Sequence, residues 1–311
     1  MTNICSKNNL LKSKFVRSLP LTLLALPGIF VIFIFKYLPM YGLVLPFKNI
    51  TNIANGFFGS EWCGFENFKY LFSGPDALIA IRNTVLFNVA FIICHIIVGV
   101  LFALMLFELS SKFVKIYQTI IFLPYFISWV VGAFVVKALL DLDYGVINNI
   151  LESFGLAKVS WYTNPKYWPF IIVIINTWKG MGYNIVLYYA ALTGINPEYF
   201  EAAKLDGASK LQQIYYVSIP LIKKVIVVLF ILNVGKMMTC DFGLFYNVPL
   251  NISLLRSTTD VLDTYVYRTM IQLGDVGMSS AAAFLQSVVG FILVIGTNLI
   301  VKKIDEDSSL L

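Results

Sequence analysis

The chain is expected to fold as an all-α membrane protein of six transmembrane helices, and three observations point there. Of its 311 residues, 59% are apolar and only 13% charged. Mean hydropathy is +0.80, a composition that places the chain among membrane proteins before any motif is read. The apolar residues also gather into six stretches, near 20–46, 82–107, 116–140, 168–194, 222–245 and 279–301. Each is long enough to cross a bilayer, which takes about 20 helical residues.

Net charge is +6, a balance that fits a nucleic-acid binder or the basic loops of a membrane protein, and the positions of the charges separate the two. Lys7, Lys12, Lys14 and Arg17 precede the first span with no acidic residue among them, so residues 1–19 are read as a cytoplasmic N-terminus. Threading onward adds Lys112, Lys115, Lys204, Lys210, Lys223, Lys224, Lys302 and Lys303 to the same side, twelve in all. The other side holds six: Lys48, Lys69, Lys158, Lys166, Arg256 and Arg268. A two-to-one bias of this kind predicts both termini inside and removes the case for nucleic acid.

In the first span (20–46) a basic region precedes the apolar run, as in a signal peptide. No small-residue cleavage site follows, and the run continues through Tyr37-Leu-Pro39-Met40-Tyr41-Gly42, so an uncleaved helix is expected. Pro27 and Pro39 should kink it, which lipid tolerates only where neighbours satisfy the freed backbone groups. The extracytoplasmic loop 47–81 carries Trp62, Phe65, Asn67, Phe68, Tyr70 and Phe72. Such aromatics form an interfacial belt or recognise a ligand, and both readings stay open.

The second span holds His95, the one histidine, best read as a packed, hydrogen-bonded side chain. The third contains Phe122-Leu-Pro124-Tyr125-Phe126-Ile-Ser-Trp129, with a break expected at Pro124. Tyr125, Phe126 and Trp129 are candidates for stacking on sugar rings, whose C–H faces match aromatic faces, and ordinary helix packing explains the same residues almost as well. The fourth reads Asn176-Thr-Trp178-Lys179-Gly-Met-Gly-Tyr183-Asn184, too polar to face lipid. A charge at bilayer depth costs about 2.5–3.5 kcal/mol, so Lys179 should face protein or a water-filled cavity. Lys236 and Asp241, assigned to the fifth span, raise the same question. Asp241 pairs with a lysine, or joins Asn176, Trp178, Lys179, Tyr246 and Asn247 in lining a pathway for a hydroxyl-rich solute, and the two readings are compatible. Cys5, Cys63, Cys94 and Cys240 are scattered, which predicts free thiols and no metal site.

Between the fourth and fifth spans lies a polar island, 196–220. Asn196 suits an N-cap and Pro197 the first helical position, while Asp206-Gly207 stops the helix because glycine enters the left-handed region without a Cβ penalty. A second amphipathic turn follows with Leu211, Ile214, Tyr215 and Val217, closed by Pro220. Glu201-Ala202-Ala203, three residues, Gly207, nine residues, then Val217-Ser218-Ile219-Pro220 resembles the EAA loop of bacterial ABC importer permeases. Val217 and Ile219 stand where that family has Ile and Leu. The Tyr37–Gly42 signature, the Gly64-Phe-Glu-Asn-Phe68 element, Asp241–Asn247 and Asp263–Arg268 resemble the complex-polysaccharide and oligosaccharide branch of the sugar permeases, so the likeness runs from Pro27 to Asp305.

That resemblance implies a type I ABC importer permease fold, with a core at 82–301, a cytoplasmic tail at 302–311, and location in the bacterial cytoplasmic membrane. It implies that Glu201, Ala202, Ala203, Asp206, Gly207 and Pro220 couple to a separate ATPase dimer that binds ATP and magnesium. The further partners implied are a second homologous permease, an extracytoplasmic sugar-binding protein and an oligosaccharide. Consistent with this, the sequence has no Gly-x-x-x-x-Gly-Lys-Ser/Thr loop, and no cofactor or enzymatic activity is expected of the chain itself. The alternatives are an ion-coupled secondary sugar carrier using His95, Lys179 and Asp241, or an enzyme acting on lipid-linked glycans. The scattered acidic residues make the enzyme the weakest reading.

Overall fold

The computed structural model describes residues 20, 22–50 and 59–304. The basic N-terminal segment used to orient the chain, Cys5, part of the first loop and the acidic tail from Asp305 lie outside the described residues. Among the described residues five helices are long and apolar enough to cross a membrane, and a bent helix pair makes a sixth span.

Helix α1, Thr22–Phe47, is continuous but not uniform. Its turn Phe33–Tyr37 is a π turn in which the N–H of Leu38 reaches back to the carbonyl of Phe33, and Leu38–Phe47 is wound as a 3-10 helix. Proline cannot donate and its ring excludes the carbonyl four residues back, so the widened turn just ahead of Pro39 accommodates it. Pro27, by contrast, lies in a stretch that stays α-helical. Packing follows the same division: Leu38–Phe47 lies against the last helix, whereas Leu24 and Phe35 are exposed.

Beyond α1, β1 (Lys48–Asn49) and β2 (Glu61–Trp62) pair antiparallel, and α2 spans Glu66–Ser73. Here two of the loop aromatics find a structural role, while Trp62, Tyr70 and Phe72 stay exposed. Phe65 and Phe68 join Phe47 and Phe284 in ring contacts of 5.4–6.0 Å. The Asn67 amide donates to the carbonyls of Pro46 and Lys48, pinning the end of α1.

Helix α3, Pro75–Phe107, begins seven residues before the expected second span. The third span is broken. Helix α4 (Ser111–Phe122) passes through a 3-10 turn, Leu123–Phe126, and α5 (Trp129–Leu140) leaves at 99° to it. Pro124 opens the 3-10 turn, but the chain becomes extended at Ile127 and Ser128, and the Ser128 hydroxyl N-caps α5 by accepting from Val131 N–H. A short α6 (Val146–Ser153) leads to α7, Trp168–Thr193, then α8, Pro197–Leu205.

Helix α9, Lys210–Val234, corrects the expected fifth span in both directions. Pro220 does not close a separate amphipathic turn. A π turn, Ile214–Ser218, with Ile219 N–H bonded to the Ile214 carbonyl, carries one rod past the proline by the device seen before Pro39. The rod stops at Val234, so Lys236 and Asp241 stand beyond the span. The short helices α10 (Phe242–Asn247), α11 (Arg256–Thr259) and α12 (Leu262–Ile271) follow, and α13 (Val276–Ile304) ends the described chain.

Helices α3 and α7 form the closest long pair. Glycines let them approach, as membrane helices lacking a hydrophobic drive require. A Cβ on Gly99 would lie 2.9 Å from Tyr188, and one on Gly180 would lie 2.8 Å from His95. At the other end of the pair, Asp260 accepts from Arg268 in a buried ion pair, with Thr264 donating to the same carboxylate.

Candidate functional site

At one end of the bundle α8 and the start of α9 form a capped hairpin. Asn196 Oδ1 accepts from Glu198 N–H at 3.1 Å. Gly207 adopts φ +78°, its N–H bonding Lys204 and that of Ala208 bonding Ala203, which closes α8 with a Schellman pattern. Ser209 and Gln212 form a capping box at the start of α9. The hairpin is seated on the span ends by a tilted ring contact of Phe107 with Phe200 at 5.5 Å and by the Glu108–Lys210 ion pair. Glu201, Ala202, Asp206 and Gly207 face outward, and Ala203 is half-buried. Leu211 and Tyr215 do not supply the buried face expected of them: they are exposed, while Gln213 is buried and donates to the Ala208 carbonyl. Leu205, 89% exposed, joins them, so the hairpin presents apolar side chains that this chain leaves uncovered.

The structure brings four of the expected pathway residues into one cluster. Trp129, at the start of α5, donates from Nε1 to Asp241 Oδ2 at 2.6 Å. The Lys179 ammonium donates to the Tyr125 carbonyl at 2.9 Å and lies 5.2 Å from the Trp129 ring and 5.5 Å from the Tyr125 ring. Asp241 also caps α10, its Oδ1 accepting from Gly243 and Leu244 N–H. Thus Asp241 and Lys179 meet through the Trp129 indole, not as a direct ion pair. The cluster ties the broken third span to α7 and to the bend after α9.

Next to it opens a cleft of ≈ 350 Å³ lined by α3 (Asn88, Phe91, Ile92, His95), α7 (Asn176) and the end of α9 with its bend (Asn233, Lys236, Thr239, Cys240, Asp241). His95 Nε2 lies 3.5 Å from the Asn176 carbonyl. The remaining expected residues sit elsewhere. Trp178 does not line the cleft. Tyr246 stacks on Phe242 and meets Tyr267, and Asn247 donates to the Gly243 carbonyl within α10. Cys63, Cys94 and Cys240 are free thiols.

Two residues that the sequence did not mark as part of the pathway turn out to shape the cleft. The Asn88 amide donates to the Met237 and Thr239 carbonyls, holding the bend after α9 against α3. Asp263, on α12, accepts from Cys240 N–H at 2.7 Å and from the Gln286 amide at 3.3 Å. Burial pushes the Asp263 carboxyl above the usual range, against the pull of these donors. An amide inside an apolar run was a visible signal for Asn88; nothing in the sequence joins Asp263 to residues more than twenty positions away.

A bundle with one broken span, a polar cleft and a capped hairpin at one end has the parts of a polytopic membrane transport subunit. The chain belongs to the family of binding-protein-dependent transport system inner membrane components, whose model matches residues 95–306. It is 34% identical to the polygalacturonan/rhamnogalacturonan transport system permease protein YteP of Bacillus subtilis, over 97% of this chain and 93% of that one. With protein LplB of the same organism the identity is 35%, over 92% and 90%. A solved structure of a bacterial ABC transporter involved in import of the acidic polysaccharide alginate superposes with a TM-score of 0.86 at 32% identity, over 95% of this chain and 99% of that one. A second, of the alginate transporter in complex with its alginate pentasaccharide-bound periplasmic protein, gives 0.84 at 31%, over 94% and 97%.

Proposed function

We propose that the chain is the transmembrane permease subunit of an ATP-driven, binding-protein-dependent importer of oligosaccharides or polysaccharide fragments in a bacterial cytoplasmic membrane. The observation that carries this reading is the near-complete match to permeases of sugar transport systems, including one whose solved structure holds a binding protein loaded with an oligosaccharide. This chain forms about half of the translocation pathway, and a homologous second permease forms the other half. An ATPase dimer binds ATP and magnesium. Both termini and the α8–α9 hairpin face the cytoplasm.

In this mechanism the ATPase receives the hairpin, whose exposed apolar residues and Glu201 suit a groove with basic groups. Small side chains at Ala202 and Ala203 permit close approach, and Gly207 sets the angle between α8 and α9. ATPase closure displaces the hairpin, and the rigid rod of α9 carries the motion along the bundle to the bend that lines the cleft. The Trp129–Asp241 bond links that bend to the broken third span, so displacement of one moves the other. Alternating exposure of the cleft follows from the two arrangements.

The test is purification of the tagged chain in detergent with identification of what accompanies it, comparing wild type with Glu201→Lys. An ATPase and a second six-span permease, with the ATPase lost from the variant, support the reading. A chain that purifies alone and moves solute in vesicles without ATP overturns it in favour of a secondary carrier.

A further inference from the structure

The α3–α7 pair carries a second recess, apolar and apart from the polar cleft. It is a groove of ≈ 560 Å³ between the two helices. Leu86, Phe87 and Ala90 of α3 form one wall, and Phe170, Val173 and Ile174 of α7 form the other. Leu86, Phe170 and Ile174 are exposed, and Arg82 and Thr258 make the mouth polar. On α3 the groove residues are centred about 160° around the helix from Asn88, Phe91, Ile92 and His95, which line the cleft. A second permease that completes the pathway sits on the cleft side, which leaves the groove on the far side of α3, facing lipid.

The sequence of α3 sets the mouth at headgroup depth. The hairpin is seated against the Phe107 end of that helix, and Arg82 stands near the other end. Residues 83–107 hold no Asp, Glu, Lys or Arg, and the hydrocarbon core takes about 20 helical residues. That uncharged run fills the core and leaves Arg82 at its edge, where a cationic side chain meets phosphates. The guanidinium is held in place. Its Nε and Nη2 donate to Asn83 Oδ1 at 3.2 and 2.9 Å, and Nη2 also donates to the Ser257 carbonyl at 3.0 Å. Both N–H groups of Nη1 are without a partner among the described residues. Arg82 is exposed and makes no ion pair among the described residues. Asp260, whose carbonyl accepts from the Asn83 amide, gives its carboxylate to Arg268 and does not neutralise Arg82. Lys166, exposed on the turn that leads into α7, adds a cation at the same end, again with no ion pair among the described residues.

We propose that this groove is a phospholipid site: an acyl chain lies between α3 and α7, and the phosphate of an anionic headgroup accepts from Arg82 Nη1. The site needs only that the chain cross a membrane, whereas the second permease's place on the opposite side of α3 rests on the importer reading.

The experiment is native mass spectrometry of the tagged chain with the subunits that accompany it, released from nanodiscs of phosphatidylcholine containing phosphatidylglycerol with a photoreactive acyl chain. Wild type is compared with Arg82→Gln, Arg82→Lys and Ala90→Phe, the last of which fills the groove and leaves the guanidinium untouched. Expected is retention of phosphatidylglycerol in preference to phosphatidylcholine, with affinity about five- to tenfold lower in Arg82→Gln, partly restored in Arg82→Lys and lowered again in Ala90→Phe. Illumination should label α3 and α7 peptides around Leu86 and Phe170. Equal retention by wild type, Arg82→Gln and Ala90→Phe overturns the site, as does labelling confined to other helices. Labelling of the isolated chain that disappears when a second permease is bound overturns it in favour of a protein occupant. A chain that purifies alone and gives the expected pattern supports the site while the importer reading fails.

Discussion

Replacing Gly207 tests whether the hairpin angle transmits work. At φ +78° this residue occupies the left-handed region, and a Cβ there would meet nothing within 4 Å. Any cost of substitution is therefore backbone strain and not a clash. For an L-residue that cost is about 1–2 kcal/mol, less for Asn and more for a β-branched side chain. One to two kcal/mol displaces a local equilibrium by a factor of about 5–30, so the correctly bent hairpin becomes the minority form in the worst case. Uptake per transporter should fall in the order Asn, Ala, Val, with Gly207→Val lowest, while the amount of inserted chain stays constant. The assay is ATP-dependent uptake normalised to membrane level, with ATP hydrolysis measured alongside. Equal uptake by Gly207→Val and wild type would refute the coupling role. An Asn variant worse than Val would refute the backbone argument, because it would require a side-chain contact that the structure does not have.

Other consequences are as specific. Arg268→Met leaves the Asp260 carboxylate buried without its cation, and loss of about 3–5 kcal/mol should appear as a lower unfolding temperature in detergent. Gly182→Ala places a Cβ 2.6 Å from the backbone carbonyl oxygen of Ile121, whereas Gly180→Ala meets only the movable ring of His95. The first should cost about 1–3 kcal/mol and the second less, a difference readable in paired thermal melts. Asp263 has a folded-state pKa above its ordinary value of 3.8, so the folded protein holds that proton more tightly than the unfolded chain. Its destabilising effect is absent below about pH 4 and grows as pH rises through the folded value. Asp263→Asn keeps an acceptor for Cys240 N–H, and its melting temperature should match wild type at low pH and exceed it at pH 7; the same gap at both pH values would contradict the assignment.

The six apolar stretches, the capping of α8 by Asn196 and its end at Gly207 were legible in the residues, because hydropathy over some twenty residues and the conformational preferences of caps and glycine are local properties. The break near Pro124 was legible for the same reason, although its 99° bend was not. Pro220 misled: its missing N–H argued for an end, and a π turn absorbed it without ending the helix. That choice belongs to packing, since Ser218 and Ile222 on either side of the proline are buried and hold the rod in place. The polar residues of the pathway were recognisable one at a time as too polar for lipid. Which of them meet was not, because Trp129 and Asp241 are 112 positions apart and Asn88 and Thr239 are 151 apart. Their contacts exist only once α3, α5, α7 and α9 are docked. Docking fixed that Asp241 reaches Trp129 and caps α10 while lining the cleft together with Lys236, an arrangement that two charged residues five positions apart in an apolar stretch do not reveal.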